Sequence, residues 1–416
     1  MSAHPRSGRP GQRHSGLGGP LSGLRVIEIG QLLAGPFVGT RLADFGAEVI
    51  KVEPPDVGDP MRQWGHHAFE GTRLWWATLA RNKKSITANL RDPRGQDLVR
   101  RLCADADALV ENFRPGTLER WGLGPEVLHG INPGLIIVRV SGYGQTGPYA
   151  DRPGFASVGE AMGGIRHING FPGMPPPRFG ISLGDTLTAL FAFEGLMMAL
   201  YWRDTVGNGK GQVVDATIVE SCFSMLESTL PEYDKLGVVR NPSGTGLANI
   251  APSNLYPTRD GGWIVIAANI DPMFRRLCEA MDRPELATDP KFVDHVSRGT
   301  HAEELDRTIG EWTRTLDATA LMARLDAFGV VNGPINTIAD IVADPHFQQR
   351  GMIRRIPDPR FGDLAVAGVA PKLSETPGDI GWLGSKAPGT HNEEIYGGLL
   401  GIDIDSLQQM RADGVI

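Results

Sequence analysis

Residues 24–30 (LRVIEIG) and 48–53 (EVIKVE) are two apolar runs with one helix-length of chain between them. That spacing constrains the fold more than any other feature. Each run reads as a buried strand. Pro36 can open a helix between them, because its missing N–H costs nothing in a first turn, and Gly46 can close it after Phe45. Strand, helix and strand in so short a length predict a parallel pair, since parallel strands need a crossover.

The alternation continues. Residues 85–90 read as a strand and 95–106 as a helix with Leu98, Leu102 and Cys103 near one face. Residues 108–113 (ALVENF) and 135–141 (LIIVRVS) read as further strands. This predicts an α/β fold built on an open, Rossmann-like parallel sheet. Ligands in such sheets sit beyond the carboxyl ends of the strands, here residues 32–36, 54–64, 112–120 and 142–147. The texture then changes. Residues 253–268 read as a hairpin around Asp260, Gly261 and Gly262. Residues 271–281, 302–316 and 318–328 read as helices, the first opened by Asp271 as cap and Pro272. The expected organisation is a disordered tail (1–20), a large Rossmann-like domain (21–229), a smaller α+β domain (230–330) and a return to the large domain (331–416), with no internal repeat.

Composition narrows the partners. The net charge of −7 does not suggest a nucleic-acid partner. The three cysteines are far apart and odd in number, which fits a reducing, cytoplasmic setting and no disulfide framework. No run of about 18 apolar residues is evident, so no membrane span is expected. The ten histidines form no H-E-x-x-H pattern, so no metal is expected, and there is no G-x-S-x-G elbow. Residues 142–147 (GYGQTG) match G-x-G-x-x-G, but Pro148 and Pro153 prevent the helix that a dinucleotide site requires. Residues 207–211 (GNGKG) read as a helix C-cap and turn, with Lys210 a surface charge.

Two constellations carry candidate chemistry. Asn112 and Phe113, with Arg114 and Arg120, lie at a strand's carboxyl end, where a ring and a guanidinium can hold an adenine and a phosphate. A structural loop with solvated charges fits them equally. Asp185 opens a long apolar helix. It reads either as a plain N-cap bonding Leu187 or Thr188, or as a carboxylate kept ionised by the helix dipole and able to attack an activated carbonyl. Spacing does not choose between them.

Taken together and in this order, LSGLRVIEIGQLLAGPF, LADFGAEVIKVEPPDVGDPMRQWG, RNKKSITANLRDPRG, VENFRPGTLERWGLG, VSGYGQTGPYADRPGF, PPRFGISLGD and GNGKGQVVDATIVES resemble the class III CoA-transferases, the CaiB/BaiF or formyl-CoA transferase family. The ending GTHNEEIYGGLLGI and MRADGVI is similar to the family's as well. The resemblance implies a nucleophilic Asp185 that becomes a covalent aspartyl-CoA thioester. It implies a CoA pocket at Leu32, Leu33, Trp64, Ala88, Arg91, Asn112, Phe113, Arg120 and Tyr143. Coenzyme A or acyl-CoA would be substrate, with no permanent cofactor and no metal, in an interlocked homodimer. Ser141 departs from a lysine, and Pro54 from a basic residue, that some members carry. The glycine tetrad of some members is not evident near residue 250, so loop 244–252 is expected to shield the intermediate.

The stretches SMLESTLPEYDKLGVVRNPSG and IAPSNLYPTRDGGWIVIAANIDPMF look most like members that use succinyl-CoA with small dicarboxylic acids. Arg178 reads either as a partner for a second carboxylate or as a structural arginine. The same fold includes α-methylacyl-CoA racemases, which pair the aspartate with a G-H-D histidine. Here that place reads Gly154, Phe155, Ala156, and a two-base proton exchange lacks its second base. A catalytically silent acyl-CoA-binding protein is the remaining alternative.

Overall fold

The structure is a computed structural model, and it describes residues 17–416. Most of the tail expected over residues 1–20 therefore lies outside the described residues. The chain divides into two compact units. The larger holds residues 17–165, 179–227 and 348–416, and the smaller holds 166–178 and 228–347.

The larger unit begins with β1 (Arg25–Glu28), α1 (Ala34–Asp44) and β2 (Glu48–Glu53). Then come β3 (Lys83–Thr87), α2 (Pro93–Cys103), β4 (Ala108–Glu111) and β5 (Ile136–Ser141). After them come α3 (Ala156–Met162), α4 (Leu183–Thr205), β6 (Val213–Thr217) and α5 (Ile218–Phe223). The strands form one six-stranded sheet in the order β3-β2-β1-β4-β5-β6, parallel throughout. This is the doubly wound order, whose strand sequence reverses between β1 and β4, so the ligand crevice belongs at the carboxyl ends of those two strands.

Pleating sends alternate residues to opposite faces. Val26, Val49, Val110 and Val138 join one core with α1 and α4. Ile27, Ile50, Leu109 and Ile137 join a second core with Leu98 and Leu102 of α2 and with Tyr396 and Leu407 near the C-terminus. Both faces are covered, which is why these strands read as nearly continuous apolar runs.

α1 starts at Ala34, earlier than the start expected at Pro36, with Leu33 as its N-cap. α4 lays Ala189, Ala192, Leu196 and Ala199 against the sheet at helical spacing. The small side chains let it come close, and a Cβ on Gly195 would meet Val214 at 2.8 Å. With 23 residues α4 is long and apolar enough to cross a membrane by length and composition alone. This corrects the expectation that no such run exists, although one face of α4 is built into the core of the unit. After α4 the chain makes the expected capped turn: the Gly207 N–H donates to Trp202 O at 2.6 Å and the Gly209 N–H to Arg203 O at 2.9 Å.

In the smaller unit, β7 (Ser253–Pro257) and β8 (Trp263–Ala267) form an antiparallel hairpin in which Val265 faces Leu255. Helices α6 (Asp271–Ala280), α7 (Ala302–Thr313) and α8 (Ala318–Ala327) follow, and β9 (Asn332–Pro334) pairs with β8. That pairing keeps residues 332–334 in the smaller unit, which runs to Phe347, whereas the return was expected at 331. Asp271 is the first helical residue of α6 and not its cap, which is Ile270; its carboxylate instead accepts from the buried Arg298 at 2.7 Å. The larger unit resumes with the hairpin β10 (Ile353–Asp358) and β11 (Gly362–Ala367), and ends with α9 (Ile404–Ala412).

Candidate active site

The loop leaving β1 is held from below by three polar side chains, the half-buried Asn112 and the buried Asp59 and Lys51. Asn112 accepts the Gln31 N–H at 2.7 Å and donates to Gln31 O at 2.8 Å. Asp59 Oδ1 accepts from the N–H of Leu32 at 3.0 Å and of Met61 at 2.8 Å. Lys51 Nζ donates to Gly30 O and pairs with Asp59 at 2.7 Å. Leu32 is thereby kept at φ 63°, a left-handed conformation that a branched side chain rarely adopts and that needs such over-determination. Glycines at 30 and 35 make room for the clamp, since a Cβ would lie 2.9 Å from Asn112 Oδ1 at Gly30 and 3.2 Å from Asn112 Cγ at Gly35. Burial alone would push the Asp59 carboxyl up, but the Lys51 ammonium and the two N–H groups outweigh it and hold the group below the usual carboxylate range.

At the carboxyl ends of β1 to β4 lies a cavity of about 680 Å³. Gln31, Pro54, Val57, Ala88, Arg91, Phe113, Arg114 and Trp121 are among its walls. Phe113 and Trp121 meet edge to face with centroids 5.0 Å apart. Aromatic faces, guanidinium groups and this volume suit an adenine nucleotide moiety.

Ala88, Arg91 and Phe113 thus share one cavity, and Pro54 lies in its wall. Asn112 faces the other way: both ends of its amide are engaged on the Gln31 backbone, so it positions the pocket loop. Arg120 is exposed on the short helix Thr117–Arg120 and donates to Thr117 Oγ1 at 2.9 Å. Arg114 and Trp121 belong to the cavity but are absent from the pocket that the resemblance implied. Trp121 follows Phe113 by two helical turns' worth of chain in FRPGTLERW, and that aromatic pair is a signal that was there to use.

Leu32 and Leu33 turn instead toward Met61, Trp76 and Leu79. Leu33 walls a second cavity of about 370 Å³ with Phe37, Leu74, Trp75, Thr78 and Thr186. Trp64 stands beside it, 42% exposed and tilted against Trp75 at 5.9 Å. Thr186 is the residue after Asp185, so this second group gathers at the start of α4.

Asp185 itself is half-buried in the first turn of α4. It is the third helical residue, and Ser182 is the N-cap, which corrects the reading of Asp185 as the cap. The dipole argument survives the change, because an acid in the first turn is favoured as the anion. The N–H of Gly184 is accepted by Glu160 Oε1 of α3 at 3.0 Å. Cys222, behind them in α5, has its thiol pushed up to about 11, first by burial and then by the carboxylates of Glu160 and Asp185.

Tyr143 lies in the loop after β5. Its hydroxyl donates to Met162 Sδ of α3 at 3.3 Å, and its ring meets Tyr149 at 6.0 Å. The Ser141 hydroxyl accepts the Gly144 N–H at 2.8 Å, a tie within the same loop. As expected from Pro148 and Pro153, residues 142–155 form no helix. Phe155 occupies the racemase histidine's place and is 68% exposed. Arg178 belongs to the smaller unit and Asp185 to the larger. Among the described residues no three His, Cys, Asp or Glu side chains are grouped as metal ligands.

Comparisons with known proteins give the family. A sequence profile of CoA-transferase family III matches residues 21–392. The chain belongs to CoA-transferase family III. It is 54% identical over 397 residues to the succinyl-CoA–D-citramalate CoA-transferase of Chloroflexus aurantiacus, covering 95% of this chain and 98% of the relative. It is 41% identical over 399 residues to the succinyl-CoA–L-malate CoA-transferase alpha subunit of the same organism, covering 95% and 92%. Among solved structures, a CaiB/BaiF family protein from Brucella suis is similar at a TM-score of 0.80 and 36% identity, over 92% of this chain and all of that one. The expected fold and the CoA-transferase activity both stand.

Proposed function

We propose that this CoA-transferase moves coenzyme A from succinyl-CoA to a small 2-hydroxy dicarboxylate through a covalent intermediate on Asp185. The observation that carries the reading is a half-buried carboxylate in the first turn of α4, beside the second cavity through Thr186, in a chain so similar to a succinyl-CoA–D-citramalate CoA-transferase.

The Asp185 carboxylate attacks the succinyl thioester carbonyl, forming an anhydride and expelling CoA thiolate. The thiolate attacks the aspartyl carbonyl of that anhydride, which gives the aspartyl-CoA thioester and releases succinate. The acceptor carboxylate attacks this thioester and expels the thiolate again. The thiolate then takes the acceptor's acyl group and returns Asp185 as a carboxylate. Each bond broken is replaced by one formed, so the sequence balances without an oxidant or a reductant. The large cavity by Phe113 and Arg91 suits the nucleotide end of CoA, and the loops at Leu33, Trp64 and Tyr143 suit the thioester end. Phe155 and Ala156 offer no second base, which speaks against racemisation.

Two further readings belong to the same proposal. The outward side of α4 exposes Leu190, Met198, Tyr201 and Trp202, an apolar face suited to a second copy of this chain in a homodimer. The three free, buried cysteines suit a cytoplasmic enzyme.

A panel of carboxylic acids assayed with succinyl-CoA and acetyl-CoA, with the CoA products identified by mass spectrometry, tests the substrate assignment. Citramalate and malate are expected to give CoA thioesters from succinyl-CoA. Turnover confined to monocarboxylates, or to acetyl-CoA, contradicts it.

A further inference from the structure

Glu160 is the one fully buried acid in α3, 0% exposed in a stretch of otherwise small and apolar residues, FASVGEAMGG. Its Oε1 accepts the Gly184 N–H, while its Oε2 has no hydrogen-bond partner among the described residues. Fully buried acids are rare, and this one is engaged with a backbone N–H of another helix. The ordinary provider of this bond is the N-cap side chain, but Ser182 makes no side-chain cap bond. The capping of α4 has passed to a residue on another helix.

The surroundings fix that residue tightly. A Cβ on Gly159 would lie 2.4 Å from Ile218 Cγ2, and one on Gly163 would lie 2.5 Å from Cys222 Cβ, so glycines let α3 seat directly on α5. Gly184 completes the contact, since a Cβ there would meet Glu160 Cγ and Ile218 Cγ2 at 3.1 Å each. The turn that bears Asp185 is therefore located by α3 and α5 together, and the same α3 receives the Tyr143 hydroxyl at Met162.

We propose that Glu160 is a positioning residue for the nucleophile: by accepting the Gly184 N–H it sets where the first turn of α4 presents the Asp185 carboxylate. This rests on Asp185 being the nucleophile. What matters is the acceptor oxygen, not the charge. The unpartnered Oε2 can become an amide nitrogen without losing a bond, so glutamine at 160 keeps the arrangement and alanine does not.

The test compares Glu160→Gln, Glu160→Ala and Gly184→Ala in the full chain, by steady-state kinetics with succinyl-CoA and acceptor acid and by thermal melting. Wild-type enzyme is also trapped with hydroxylamine and mapped at Asp185. Glu160→Ala is expected to lower kcat by about 10- to 100-fold, the scale of an ångström-sized misplacement, with KM for both substrates little changed. Glu160→Gln is expected to stay close to wild type. Wild-type kcat in folded Glu160→Ala, or a Glu160→Gln as damaged as Glu160→Ala, overturns the proposal. If Glu160→Ala does not fold, Gly184→Ala decides: it keeps both Glu160 oxygens and displaces the contact by a few tenths of an ångström. A fall in kcat without a rise in KM supports positioning, and an unchanged kcat overturns it. A wild-type enzyme with no adduct at Asp185 sinks the nucleophile reading instead, which separates the two failures.

Discussion

Asp59 serves two backbone N–H groups and one ammonium at once, and the pocket loop depends on all three bonds. Its folded pKa lies below the unfolded value, so it contributes stability above the usual carboxylate range. That contribution is lost as pH falls through the folded pKa. Asp59→Asn leaves Lys51 short of a buried partner and is expected to cost about 3–5 kcal/mol at neutral pH. It should also flatten the fall in stability below about pH 4. Urea titrations at several pH values check both; an unchanged acid limb would refute the role given to Asp59. Asn112→Ala strands two backbone groups of Gln31, each worth about 1–3 kcal/mol when buried and unpaired. Calorimetry should show acyl-CoA binding weakened by about 10-fold or more, consistent with losing one such bond. Neither role was legible beforehand. Lys51 stands inside EVIKVE as an inward charge with no visible partner, because Asp59 and Gly30 meet it only in the folded chain. Glu160 was hidden for the same reason, since its partner Gly184 lies in a different element.

At the scale of elements, far more was readable. Apolar runs located β1, β2, β4 and β5 of the large sheet, because both faces of these strands are buried, whereas β3 carries Ile86 as its one apolar residue and begins at Lys83, before the start expected at residue 85. Ends were less legible. α1 begins at Ala34 because Leu33 takes the cap position after the clamped loop, a tertiary constraint that Pro36 does not signal. The start of α4 was misplaced likewise, since its cap bond comes from α3. Packing of α4 has a direct consequence. Leu196 is fully buried among the sheet valines, and Leu196→Ala should cost about 2–5 kcal/mol in chemical denaturation, by lost transfer energy and a residual cavity. A cost below about 1 kcal/mol, within the range of surface substitutions, would contradict the packing described.

For the whole molecule, composition fixed only broad limits, whereas the order of the motifs carried the family. The change from parallel sheet to hairpin and helices marked the smaller unit, yet its far boundary was missed because β9 is three residues long and pairs back onto β8. The segment 166–178 was not separable either, being too short and irregular to carry a pattern. The apolar outer face of α4 leads to a further expectation. Sedimentation should give twice the mass of one chain, and Met198→Glu combined with Tyr201→Glu should shift it toward monomer, because buried charge opposes association. A fully active wild-type monomer would contradict that use of the face.

The central claim is a covalent bond to one carboxylate. Incubation with succinyl-CoA followed by hydroxylamine and peptide mass spectrometry should yield a hydroxamate at Asp185, with transfer falling by roughly a thousandfold or more in Asp185→Asn, as for loss of a covalent nucleophile. A hydroxamate at another residue, or transfer at wild-type rate in Asp185→Asn, would contradict the account.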